Sequence, residues 1–457
     1  MHQKFIVDYN PSTGELIDKI KCSSAGEIAS AVKLARKAFK TWSKVTLKNR
    51  IIYLKKIAKD FLKERDAIAK TISVEMGKVY SNSVNEVMNI IQLFEENINS
   101  SIIAFESKIY KNKSLITEVH RIPVGVVAVI SPWNYPVETP VSLIVPAILA
   151  GNCVVFKPSE YTPVSGKIIY DIFNRHLSKG IINIVQGADE VGETLVRSDI
   201  EMVAFVGSKE VGKKIMSVCS NSLIRLILEL GGKDPMIVLK DADLEKAASF
   251  AVQGSLSNCG QICTSIERIY VEDKIAYVFE KLVLEKIKKI KVGDSFDDVD
   301  MGPMANEYQR NKVLSHIDEA KRKGARVLFG GNKINGSGIF LEPTLIVDVS
   351  EKHEIMQDAT FGPVIAIQRI HNEDEALEKA NKTKFGLGAT IWTENKSKAI
   401  DFAHKLEAGM IGINKGFNGV SGTPRFGIKQ SIFGFQGSYE GLKQFTQPKK
   451  ISYKNDY

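Results

Sequence analysis

A thiol, a carboxylate and a side-chain amide stand in three short runs of this chain, each run containing Gly or Pro. Cys263 lies in Asn258-Cys259-Gly260-Gln261-Ile262-Cys263-Thr264, Glu229 in Leu228-Glu229-Leu230-Gly231-Gly232-Lys233, and Asn134 in Ser131-Pro132-Trp133-Asn134-Tyr135-Pro136. Together they are the parts for covalent chemistry on a carbonyl: a thiolate attacks, an amide N–H₂ holds the oxyanion, and a carboxylate activates water. Burial is the commoner fate of a cysteine. The polar neighbours Gln261, Thr264 and Ser265 instead favour a partly open Cys263. Glu229 follows the apolar Leu226-Ile227-Leu228, so a half-buried carboxyl with a raised pKa is expected there. A structural ion pair with Lys233 is the alternative. Cys259 reads as an inert core residue, with oxidation alongside Cys263 as the rival reading.

Two further runs could hold a dinucleotide. Lys157-Pro158-Ser159-Glu160 follows the apolar run Cys153–Phe156. An amine and a carboxylate at a strand's carboxyl end can grip a ribose, and the carboxylate repels a 2′-phosphate. Phe205-Val206-Gly207-Ser208-Lys209-Glu210-Val211-Gly212 reads as a strand running into a helix. Its free N–H groups would face a pyrophosphate, although a Ser-capped helix without ligand has the same pattern. It is not the three-glycine dinucleotide fingerprint.

The elements that must position these residues are legible as an α/β chain. The first hundred residues look helical. Ser24-Ala25-Gly26-Glu27 fits a capping box before Ile28, Val32, Ala35 and Phe39, and three more helices are expected over 48–63, up to Met76 with Gly77 as C-cap, and over 83–98. Residues 107–124 alternate as an exposed two-stranded ribbon. From Val126 onward strands at 126–130, 153–156, 182–185, 203–206 and 226–228 alternate with helices at 164–176, 190–197 and 209–219, the rhythm of a buried parallel sheet. Ligands bind beyond the carboxyl ends of such strands. A second α/β cycle follows, with strands at 236–239, 268–271, 364–367, 389–392 and 410–413 and helices at 244–256, 275–289 and 396–406. Gly231-Gly232 is the natural boundary, and 444–453 is again strand-like. The expected organisation is a Rossmann-like cofactor domain over 1–106 and 125–231, an α/β catalytic domain over 232–423, and a small β oligomerisation arm and C-terminal segment over 107–124 and 424–457.

At 457 residues the chain exceeds one ordinary core. Its hydrophobic content of 44% and charged content of 25% are those of a soluble globular protein. The net charge of +9 is spread along the chain without basic–aromatic clusters, which argues against nucleic acid. Five cysteines at irregular spacing fit neither a disulfide framework nor a metal site. Met1-His2-Gln3-Lys4-Phe5 has no apolar signal core and no membrane span is evident, so the cytoplasm is the expected compartment.

Taken in order, Pro-Trp-Asn, Lys-Pro-Ser-Glu, Gly-Ser, Glu-Leu-Gly-Gly, Gly-Gln-x-Cys and Phe-Gly-Pro resemble the NAD(P)-dependent aldehyde dehydrogenase superfamily over essentially the whole chain. Glu75-Met76-Gly77-Lys78 and the length look closest to bacterial succinate-semialdehyde dehydrogenase-like members. The resemblance implies Cys263 as nucleophile, with the Asn134 amide and the Cys263 N–H as oxyanion hole. It implies Glu229 as the base that hydrolyses the thioester. Lys157 and Glu160 would hold the adenosine ribose, favouring NAD with NADP as the alternative. Gly207 and Ser208 would lie by the pyrophosphate, and Pro132, Trp133, Ser159, Gly187, Phe205, Val211, Leu230, Gly231 and Phe361 would complete the cofactor site. It also implies a small aldehyde or semialdehyde substrate, a homodimer or homotetramer, and neither metal nor nucleic-acid nor membrane partner. A CoA-acylating enzyme and a catalytically silent NAD-binding structural protein are the alternatives.

Four segments depart from the family pattern, at six positions. Ala359 replaces the Glu that contacts the nicotinamide ribose. Ser142 and Leu143 replace a Trp-Lys pair. Phe426 and Ile432 stand where Gly is common near the substrate entrance, and Asp189 in Gly187-Ala188-Asp189 replaces a frequent Gly. Arg425, in the same entrance segment, is expected to be solvated, a substrate carboxylate being its other candidate partner.

Overall fold

The computed structural model describes residues 4–417, 419–420 and 422–455. The first three residues of the amino-terminal run read above therefore lie outside the described residues. Two largely parallel sheets dominate. The first has six strands in the order Ile432–Phe433, Arg225–Glu229, Met202–Val206, Val126–Ile130, Cys153–Lys157, Ile182–Ile184, all parallel except the antiparallel Ile432–Phe433. The three strands from Met202 to Lys157 in that order are buried throughout, which is why they read as unbroken apolar runs rather than alternating ones.

The second sheet has seven strands in the order Arg326–Phe329, Thr344–Val347, Val364–Ile370, Ile266–Glu272, Asp234–Val238, Gly388–Trp392, Met410–Ile413. Only its first pair is antiparallel. The chain passes from the first sheet to the second between Glu229 and Asp234, across Gly231-Gly232.

Helix signals at the start of the chain hold closely. Ser24 caps Ala25–Trp42 with both halves of the capping box formed, and Ile28, Val32 and Ala35 are buried. Arg65–Met76 ends at Gly77 in the left-handed region, φ 76°, where a Cβ would strike the Pro303 ring. Pro163–His176 begins against Glu75, whose carboxylate accepts the Val164 and Ser165 N–H groups, the orphan donors of a helix start.

Three expectations need correction. The opening residues are not helical: Phe5–Tyr9 and Leu16–Lys21 form an antiparallel hairpin whose first strand alternates exposed and buried. The ribbon at 107–124 is two strands of a three-stranded sheet, since Thr446–Lys454 pairs along the whole of Leu115–Pro123. The strand-like tail begins later than read, because Ser438–Gln444 is helical. Glu138–Leu149, with two prolines and an almost wholly buried surface, is a helix that periodicity could not reveal, because an all-apolar helix has no polar face.

Candidate active site

Register in the first sheet places the motif residues in a row. Glu229 pairs with Val206, Phe205 with Ile130, Ile130 with Lys157, and Phe156 with Ile184. The carboxyl ends of five strands therefore present Glu229, Gly207-Ser208, Ser131-Pro132-Trp133-Asn134, Lys157–Glu160 and Val185–Gly187 along one edge. That edge is where open parallel sheets bind ligands.

Along it Lys157 is buried and reaches the Pro158 carbonyl at 3.1 Å and Glu160 at 3.6 Å. Burial lowers its pKa, and Glu160 counters that. Ser159 Oγ accepts the Tyr161 N–H. Ser208 caps Lys209–Ser220 by accepting the Val211 N–H at 3.2 Å, so the capped-helix reading is correct for its side chain. Gly187 sits at φ +154°, and a Cβ there would meet Val191 at 2.2 Å. A Cβ on Gly207 would meet the Phe205 ring at 2.4 Å. Gly187 is thus a strained position for any side chain, and Gly207 leaves bare backbone beside the Phe205 ring, the kind of surface a pyrophosphate can approach. This row fits a dinucleotide.

The Cys263 loop comes from the other sheet, between Leu244–Leu256 and Ile266–Glu272. Asn258, Cys259 and Gly260 take three consecutive positive φ values of 51°, 56° and 67°. Gly260 is obligatory, since its Cβ would meet the Gly362 carbonyl oxygen at 2.1 Å. The loop is tied to the first sheet's edge: Asn134 Nδ2 donates to the Gln261 carbonyl at 2.9 Å and Asn258 Nδ2 to the Asn134 carbonyl at 3.2 Å. Gln261 is fully buried, its Oε1 accepting the Ala305 N–H. Gly232 has no Cβ, which would otherwise lie 2.5 Å from the Cys263 carbonyl oxygen.

Cys263 is partly exposed and Cys259 is buried. The Cys259 thiol donates to the Gly302 and Pro303 carbonyls, and burial pushes it up to about 12. That is the inert core residue expected of it.

Glu229 is 7% exposed, and its Oε1 has no hydrogen-bond partner. Burial raises its pKa and Arg425 opposes the rise. Lys233 does not pair with it: Lys233 Nζ bonds Glu267 at 2.5 Å instead. Arg425 keeps part of its expected solvation, its side chain being 39% exposed, but its guanidinium also turns into the site. Its Nη2 donates to Cys263 Sγ at 3.0 Å, and its Nε stands 3.8 Å from Glu229 Oε2.

The sequence reading missed Glu267. It is 5% exposed, and its two oxygens accept the Thr360 and Phe361 N–H groups, each at 2.8 Å. Gln309 Nε2 binds the carbonyls of the same two residues at 2.8 and 3.0 Å. Four bonds thus hold Thr360 and Phe361, two on each, with Phe361 at φ 52° and its ring meeting Trp133 edge-on at 5.6 Å. The clue was a Glu in an otherwise apolar strand run, Ile266 to Val271, that also contains Arg268. Ala359 brings no polar group to this turn, and Asp358 beside it is exposed on extended backbone. Leu143 is fully buried in the core, and Ser142 bonds Thr139 and Gln436, so neither stands in for the missing Lys.

Residues 1–451 match the model of the aldehyde dehydrogenase family. The chain is 35% identical to a probable succinate-semialdehyde dehydrogenase [NADP(+)] of Sinorhizobium fredii, covering 98% of this chain and 92% of the relative. Among solved structures, it is similar to betaine aldehyde dehydrogenase of Staphylococcus aureus in complex with NAD+ (32% identity, TM-score 0.94, 98% and 91% of the two chains). An NADP-dependent enzyme of E. coli matches at 30% identity and TM-score 0.95 over 98% and 95%.

Proposed function

This chain belongs to the aldehyde dehydrogenase family, and on that premise we propose that it oxidises a small semialdehyde to its carboxylic acid, with NAD as acceptor. The observation that carries the reading is that Asn134 ties the loop bearing Cys263 to the first sheet's edge while Arg425 bridges Cys263 and Glu229. Cys263 Sγ attacks the aldehyde carbon. The Asn134 amide and the Cys263 N–H hold the developing oxyanion. Bound NAD supplies the hydride acceptor, and Lys157, Glu160, Gly187, Gly207 and Ser208 would hold it. Glu229 takes a proton from water as that water adds to the Cys263 thioester, releasing the acid and restoring the sulfur. Buried with one free oxygen, Glu229 has the environment of such a base, which favours hydrolysis over transfer to CoA.

Succinate semialdehyde is the first substrate to try, because a similar enzyme carries that name. The Glu160 carboxylate beside Lys157 supports NAD over NADP, by repulsion of a 2′-phosphate. The three-stranded sheet of Lys108–Lys111, Leu115–Pro123 and Thr446–Lys454 supports assembly as a homo-oligomer, since Ile109, Tyr110, Leu115 and Ile451 are exposed on it. The test is reduced-cofactor formation with a panel of small aldehydes and each cofactor, without CoA. Turnover with NAD and release of free acid is the expected result. Absence of turnover with every aldehyde, or a strict need for CoA, would refute the reading.

A further inference from the structure

Arg425 touches the sulfur itself. Its backbone is fixed first: the Arg425 N–H donates to the Gln436 carbonyl at 3.0 Å, and the two residues form an antiparallel bridge. Eight residues on, Phe433 and Ile432 pair with Leu228 and Glu229, and the Leu230 N–H donates to the Ser431 carbonyl at 2.8 Å. The segment carrying Arg425 is thus stitched to the strand that ends in Glu229. The side chain then runs over Glu229 to Cys263.

A guanidinium has only donors to offer, and a neutral thiol is a weak acceptor. A thiolate is the acceptor that suits a donor 3.0 Å away. The titratable and polar groups facing the sulfur are Arg425 from this segment, Glu229 and Asp234 from the two strands flanking Gly231-Gly232, Tyr135 from the Pro-Trp-Asn loop, and the Thr264 hydroxyl beside it. Burial first, then the two carboxyls, raise the thiol's pKa and outweigh Arg425 and Thr264, which lower it, so the thiol sits above its ordinary range and Arg425 limits the rise. Of these groups, Arg425 is the one that carries positive charge.

We propose that Arg425 is a catalytic residue of this chain, the counter-ion that stabilises the Cys263 thiolate as the sulfur ionises for attack. The inference rests on Cys263 being the nucleophile. A cation in contact with the sulfur offsets part of the cost that burial puts on ionising it.

Iodoacetamide tests this without any aldehyde. The thiolate attacks the methylene carbon, the S–C bond forms, and iodide leaves with the C–I electron pair. The alkylation rate of the Cys263 peptide is followed against pH for wild type, Arg425→Lys, and two neutral variants, Arg425→Gln and Arg425→Phe. NAD binding to each variant reports an intact fold. An opposite charge at this range is worth roughly 1–3 pH units, so the neutral variants should titrate about one unit or more higher. At pH 7 they should react about tenfold slower, with Arg425→Lys between them and wild type. Midpoints equal to wild type in folded neutral variants would overturn the proposal, including the case where only the KM for a carboxylate-bearing aldehyde rises. A wild-type Cys263 that does not alkylate, in a protein that still oxidises aldehydes, would instead remove the nucleophile assignment and this inference with it.

Discussion

At the scale of the residue, the account turns on how three side chains share their proton duties. Glu229 must be ionised to activate water, and burial raises its pKa. Its contribution is therefore lost as pH falls through that raised value and gained as pH rises. The steady-state kcat of wild type should climb with pH along a limb that Glu229→Gln lacks. General-base removal typically lowers a rate by roughly 10²–10⁴-fold. Glu229→Gln should show a fall of that order in steady-state turnover while keeping a first burst of reduced cofactor, because only the hydrolytic half is impaired. Stopped-flow measurement checks this, and equal loss of burst and steady state would place Glu229 in the first half instead. The residue types of Cys263, Glu229 and Asn134 were readable before any fold was known, since each chemistry admits few side chains. Arg425 was not, because a contact between residues 162 positions apart leaves no local trace.

At the scale of the element, the Phe361 turn is a brace for the Cys263 loop. Glu267 holds two of its N–H groups and also the buried Lys233. Gln has one oxygen where Glu has two, and no charge for Lys233. Glu267→Gln should therefore destabilise the fold by about 3–5 kcal/mol, the usual cost of leaving a buried ion without its partner. Denaturant unfolding measures it, and a loss near zero would mean that Lys233 is paired otherwise. Activity per folded molecule should drop as well, because Phe361 backs Trp133 and Gly260 meets Gly362. Parallel strands such as Val126–Ile130 were legible to the residue, because burial on both faces makes them continuous apolar runs. Phe5–Tyr9 was not: its five residues alternate within a polar neighbourhood, and its partner Leu16–Lys21 is mostly exposed. The helix Glu307–Arg322 was overlooked because its buried apolar residues, Val313, Ile317 and Ala320, are interleaved with the buried polar Gln309, His316 and Glu319.

At the scale of the whole molecule, the described residues form two large sheets joined where Asn134 and Asn258 tie the Cys263 loop to the first sheet's edge, together with the amino-terminal hairpin and a three-stranded sheet. Ile109 and Tyr110 are 67% and 57% exposed on the short strand of that three-stranded sheet. Two large apolar side chains left exposed on an edge strand, although flanked by Lys108 and Lys111, are a surface another copy could cover. Ile109→Glu combined with Tyr110→Glu should shift the sedimenting species to a smaller one and leave the Cys263 alkylation rate unchanged. An unaltered sedimentation coefficient would exclude this edge from the interface. Among the described residues no helix is long and apolar enough to cross a membrane. The order of motifs along the chain indicated this architecture, but the pairing of Thr446–Lys454 with Leu115–Pro123 did not show, because register between distant strands is set in space.

The central claim is that the substrate's carbonyl carbon becomes bonded to Cys263 Sγ. Intact-mass and peptide mass spectrometry on Glu229→Gln, mixed with NAD and the best aldehyde of the panel, tests it most directly. The account predicts an added acyl group on the Cys263 peptide, formed with one equivalent of reduced cofactor, and neither product in Cys263→Ala. Continued turnover in Cys263→Ala, or an acyl group carried by another residue, would contradict it.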